Sequence, residues 1–184
     1  MKTLARFGGL GAALLLAGCQ GAPVVRQAQI DSYVPQYAAA MSQLEFVGTA
    51  GTPEDTQRLA EVAAKGISQG SMAGPQFTLR PRKPEEPELG TRVVVVVGGA
   101  AGATLCAAPP RQGGDFKGGT LHVAAAACSG GSRLTSTSGS VSGVEGPDDP
   151  AVAHLFRQIG AELFPMRNPN YEDNDHDRGA DWNF

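Results

Sequence analysis

Thr91-Arg92-Val93-Val94-Val95-Val96-Val97 is the most apolar run of this chain outside its amino-terminal leader. β-Branched side chains lose rotamer freedom in a helix and pack well on a pleated surface, so the run predicts a strand. It shows no alternation of polar and apolar residues. A strand of that kind is covered on both faces, which places it at the centre of a sheet.

The flanking segments supply the neighbours of this strand. Upstream, Gln76-Phe77-Thr78-Leu79-Arg80 alternates like a strand. The charged segment Pro81-Arg82-Lys83-Pro84-Glu85-Glu86-Pro87 between them predicts a solvated loop. Before that, Thr52-Pro53-Glu54-Asp55 carries a helix start: a capping hydroxyl, a proline at the first helical position and an acid three residues after the cap. Leu59, Val62, Ala63 and Ile67 follow at helical spacing, and Gly70 is a natural stop. Leu44-Glu45-Phe46-Val47 predicts a brief strand ahead of the helix.

Downstream, residues 98–104 are small and flexible. Leu121–Cys128 and Arg133–Val141 predict a hairpin about Ser129-Gly130-Gly131-Ser132. Asp148-Asp149-Pro150 opens a second helix, whose stripe is Val152, Leu155, Phe156, Ile159 and Leu163, and Pro165 ends it. The expected fold class is α+β: a small mixed sheet of about 4–5 strands with two helices packed on one face. In order and size of elements this is similar to small envelope lipoprotein domains. Examples are the amino-terminal domain of TolB, the curli-secretion lipoproteins and the penicillin-binding-protein activators. That resemblance rests on element order over about 120 residues and carries no functional residue with it.

The leader gives an address. Met1-Lys2-Thr3-Leu4-Ala5-Arg6 is a short basic start, and Phe7–Ala17 is an apolar run too short to cross a bilayer of about 30 Å. It ends in Leu16-Ala17-Gly18-Cys19, which resembles the lipobox of bacterial lipoproteins. The resemblance implies that the thiol of Cys19 takes a diacylglycerol, that cleavage falls before it, and that the new amino group is often acylated. Each buried methylene adds roughly 0.8 kcal/mol, so two or three acyl chains hold a protein firmly at a membrane. In that family an aspartate after the cysteine often signals retention in the inner membrane. Gln20 stands there instead, which favours the periplasmic face of the outer membrane.

Removing residues 1–18 takes Lys2 and Arg6 from 15 basic residues against 18 acidic ones, so the mature chain carries about −5. That balance offers no basic footprint for nucleic acid. Residues 19–43 show no sustained period and read as a lipidated tether, 44–166 as the α+β domain, and 167–184 as an acidic disordered tail. Cys106 and Cys128 are the cysteines left after the lipidated one. In an exported protein such a pair tends to join, and a bridge over this loop contributes roughly 3 kcal/mol in the chain-entropy model. A zinc pair is disfavoured, since there is no CxxC spacing and His122 stands alone.

Catalytic motifs fail on inspection. Gly98-Gly99-Ala100-Ala101-Gly102 after the valine run has alanine where a dinucleotide fingerprint needs its second glycine. Gly139-Ser140-Val141-Ser142-Gly143 centres on Val141 rather than on a nucleophilic serine. A triad of Ser129, His122 and Asp115 can be assembled only by free choice, and His154 sits beside an apolar stripe. Asp173, Asp175 and Asp177 open like a calcium loop, but Arg178 occupies the glycine position and Phe184 the position of the closing glutamate. The expectation is therefore a non-enzymatic, membrane-anchored accessory or structural lipoprotein without metal or cofactor. It would be held by the acyl chains on Cys19 and would contact an envelope protein. The alternative is a small binding module for a lipid, glycan or ion, using the sheet face or the 98–119 loop.

Overall fold

In the computed structural model the described residues are 21–32, 40–80, 90–98, 104–107, 109, 113–114, 116 and 119–166. The leader with Cys19, the loop 81–87 and the tail 167–184 lie outside them. Along the chain come β1 (Val24–Val25), β2 (Gln29–Ile30), β3 (Gln43–Val47), β4 (Thr49–Ala50), α1 (Pro53–Gly70), β5 (Thr78–Arg80), β6 (Thr91–Val97), β7 (Gly113–Gly114), β8 (Thr120–Ser129), β9 (Ser132–Ser142) and α2 (Pro150–Leu163).

The valine run is β6, paired with β8 in antiparallel and with β3 in parallel fashion. All five valines are fully buried. Successive side chains of a strand point to opposite faces, so Val93, Val95 and Val97 join the helix-side core with Leu59, Ile67, Leu155 and Phe156. Val94 and Val96 pack on the far side with Val47, Leu105, Cys106, Ala124 and Ala126. The α+β class holds, with both helices on one face. The sheet is larger than the 4–5 strands expected: it has seven, in the order β1-β9-β8-β6-β3-β5, with β2 also pairing β9. A separate two-stranded ladder joins β4 to β7.

The extra strands come from the segment expected as a tether. β1 and β2 are two residues each, too short to show a period, and both pair antiparallel to β9. Val25 faces Gly139 and Gln29 faces Ser136, so residues 26–28 oppose only 137–138. That is a bulge on an edge, a device that discourages pairing with another chain. It is pinned from the helix side. The Thr137 hydroxyl donates to the Arg26 carbonyl, and the Ala28 N–H donates to Glu162 on α2 at 3.1 Å.

α1 starts as the sequence predicts. The Asp55 N–H donates to the Thr52 hydroxyl, and the Asp55 carboxylate accepts from the Thr52 N–H. The helix ends at Gly70, as the sequence predicts, and Ser71 caps it in an extended rather than a left-handed conformation. The glycine also serves packing. A Cβ on Gly70 would collide with the Arg157 carbonyl, one on Gly160 would collide with the Ile67 carbonyl, and one on Gly66 would stand 2.6 Å from Cβ of Phe156. Gly66, Gly70 and Gly160 thus let the two helix backbones approach closely.

Candidate functional site

Two corners of the sheet's far face carry its polar chemistry. The first holds the disulfide. Cys106 and Cys128 are joined, as expected from the sequence, and tie residues 104–107 to β8. Beside them Arg92 is buried, its side chain 7% exposed. Its guanidinium donates to Glu45 at 3.1 Å, to the Gly130 carbonyl at 2.9 Å and to the Cys106 carbonyl at 2.8 Å. A buried cation is tolerated only when paired and hydrogen-bonded. Arg92 meets that condition by clasping β3, the hairpin turn and the disulfide loop together, so this corner is architecture.

The second corner is a trough of about 450 Å³ lined by Arg26, Gln29, His122, Ser136, Ser138 and Ser140, with Val24 and Gly98 at its margin. The register explains the cluster. Cross-strand partners share a face: Ser140 lies between Val24 and His122, and Ser136 lies between Gln29 and Ala126. From Ser136 to Ser142 every second residue of β9 therefore places a hydroxyl on the same surface. The bulge carries Arg26 onto the rim, where its N–H donates to the Ser138 carbonyl.

The trough is rich in donors, and among the described residues no carboxylate lines it. Nearby Asp31 is committed to Arg133, which donates to both its oxygens. That contact holds the Arg133 guanidinium above its ordinary range. Arg133 also donates to Oε1 of Gln29 at 3.2 Å, leaving the amide nitrogen of Gln29 as its donor. On the floor, Ser136 is fully buried, and among the described residues its Oγ has no hydrogen-bond partner. An unsatisfied buried hydroxyl is destabilising by about 1–3 kcal/mol, so its presence at the bottom of an open trough calls for a ligand or water oxygen.

A second cleft, of about 540 Å³, separates the two helix starts and is lined by Glu54, Asp55, Arg58, Glu145, Asp148 and Asp149 among others. Its three aspartates serve the fold. Asp55 belongs to the capping box, Asp149 accepts from the Ala151 N–H at 2.8 Å, and Asp148 accepts from Arg58 at 2.7 Å. Asp148 and Glu61 raise the proton affinity of Arg58.

The structure separates the sequence candidates. His122 reaches the trough, whereas His154 is exposed on α2. Ser129 lies seven residues from His122 along β8, roughly 24 Å at strand rise, and Asp115 is outside the described residues, so no triad forms. Ser140 and Ser142 sit within β9 rather than on an elbow. Cys19 and the aspartates at 173, 175 and 177 fall outside the described residues. Among the described residues no group of three or more His, Cys, Asp or Glu side chains could hold a metal ion, and no helix is long and apolar enough to cross a membrane. Sequence reasoning missed Arg26, Gln29 and the serine row. The available signal was the period-two recurrence of Ser136, Ser138, Ser140 and Ser142.

No protein-family model matches the chain, and no curated protein matches it in sequence. Among solved structures, two dodecamers of PelC from Paraburkholderia phytofirmans, one of them a variant, are similar with a TM-score of 0.45. They are 14% and 11% identical, and the match covers 79% of this chain and 99% of theirs. A likeness this distant identifies neither a family nor a function.

Proposed function

We propose that this protein is a lipid-anchored, non-enzymatic accessory component of the bacterial envelope. Acyl chains on Cys19 hold it at the periplasmic face of the outer membrane, and its domain engages an envelope partner. The observation that carries the reading is the ordered leader: a basic start, an apolar run, then Leu16-Ala17-Gly18-Cys19. The Cys106–Cys128 disulfide fits an oxidising compartment outside the cytoplasm. Fractionation tests the anchor. The native chain should sediment with membranes, and Cys19→Ala should move it to the soluble fraction. A membrane-bound Cys19→Ala protein would sink the lipidation, and a crosslinked envelope pull-down without a reproducible protein partner would sink the accessory role.

The second reading, a binding module, is favoured by one specific observation: the donor-rich trough with the unpartnered Ser136 hydroxyl in its floor.

A further inference from the structure

We propose that this trough receives the phosphate of a phospholipid headgroup in the leaflet that holds the protein's own acyl chains. The inference rests on the lipid-anchor reading and adds to it an orientation and a ligand. Three observations converge on it.

The first is the length of chain between anchor and sheet. Gly21 lies against Ser142 at the end of β9, where a Cβ on the glycine would stand 3.4 Å from that of Ser142. Cys19 precedes Gly21 by two residues, which span at most about 7 Å. From Ser142 to Ser140 is roughly 7 Å more along the strand. The rim of the trough at Ser140, Val24 and His122 is therefore within about 20 Å of the acylated residue. The headgroup layer is about 5–7 Å thick on each side of the bilayer, so a chain anchored this closely lets that rim reach the headgroups.

The second is chemistry. Arg26, the Gln29 amide, the His122 ring and three serine hydroxyls can donate to an oxyanion, and among the described residues no carboxylate lining the trough competes. Phosphate oxygens are met elsewhere by this mixture of guanidinium and hydroxyl donors. Val24, 65% exposed beside this rim, adds an apolar side chain suited to the interface. The acidic helix starts that line the other cleft belong to α1 and α2, on the opposite face of the sheet. Repulsion from anionic lipid would turn that face away and the trough inward.

The third is Ser136. A fully buried hydroxyl without a partner points to a ligand oxygen that completes it. The same fact gives a diagnostic variant. Ser136→Ala removes an unsatisfied group and should leave the free protein as stable or more stable, while weakening the bound state.

The test uses the full mature chain carrying Cys19→Ala, so that no acyl chain contributes to binding. Cosedimentation is measured with vesicles of phosphatidylethanolamine and phosphatidylglycerol, and with phosphate-free galactolipid vesicles. Binding to the phospholipid alone is expected, reversed by inorganic phosphate. Ser136→Ala should weaken it by about fivefold and Arg26→Ala by about tenfold or more, with melting temperature held or raised for Ser136→Ala. Equal binding to both vesicle types overturns the proposal, as does binding that neither substitution changes. Inorganic phosphate held in the trough without any vesicle attachment overturns it too, by assigning the site to a soluble anion. A native protein that proves unacylated overturns the anchor reading whatever the vesicles show, so the two failures are distinguishable.

Discussion

Arg92 is a single side chain whose contacts join segments far apart in sequence: Glu45, Cys106 and Gly130. Arg92→Met would leave two carbonyls short of a donor and strip Glu45 of this cation in a buried site. A loss of about 3–5 kcal/mol in denaturant unfolding is expected; a change within about 0.5 kcal/mol, as for a surface substitution, would show the clasp to be idle. At the opposite extreme, Thr52 is exposed and Asp55 half-buried. The Thr52 N–H, then its hydroxyl, stabilise the Asp55 carboxylate and hold its pKa below the ordinary value. A depressed acid contributes stability above its unfolded pKa and loses it as pH falls through the folded one. An NMR titration should therefore place the Asp55 midpoint below that of an ordinary aspartate, and Thr52→Ala should move it up toward the ordinary value. The same substitution should lower stability at neutral pH by about 1 kcal/mol. The capping box was legible because its partners are three residues apart. Arg92 was not, because its partners are remote and an arginine at a strand start reads as solvated. Ser136 was hidden for a related reason, since hydroxyls in a strand ordinarily mark a wet face.

The helices were read from their stripes, and the buried sets agree: Leu59, Ala63 and Ile67 on α1, then Val152, Leu155, Phe156, Ile159 and Leu163 on α2. What spacing did not reveal was how closely they approach. Gly70 was read only as a stop, whereas close approach across the interface requires Gly66, Gly70 and Gly160. Gly160→Ala separates two effects of opposite sign. Helix propensity alone would stabilise by about 1 kcal/mol. Collision with the Ile67 backbone should instead destabilise by about 1–3 kcal/mol net, seen as a fall in denaturant midpoint with unchanged slope. A rise in midpoint would contradict the close packing. The central strand and the hairpin were legible because they are long and strongly patterned. β1 and β2 were not, since two residues show no period and their order comes entirely from β9.

For the molecule as a whole, the disulfide and the proposed anchor bear on where the domain works. Replacing both Cys106 and Cys128 by alanine should lower unfolding free energy by about 3 kcal/mol. An unchanged stability would mean that the Arg92 contacts alone hold residues 104–107 in place. Fold class and disulfide were legible from composition, export and element order. The donor-rich trough was not, because it exists only once β1, β2, β8 and β9 lie side by side. Its assignment to a membrane surface depends on Cys19. The decisive observation is therefore the intact mass of the protein purified from its native membrane, before and after reduction. A mass equal to residues 19–184 plus acyl groups, rising by one pair of hydrogen atoms on reduction, is expected. A mass without acyl groups would contradict the anchor, and with it the orientation that brings the trough to the headgroups.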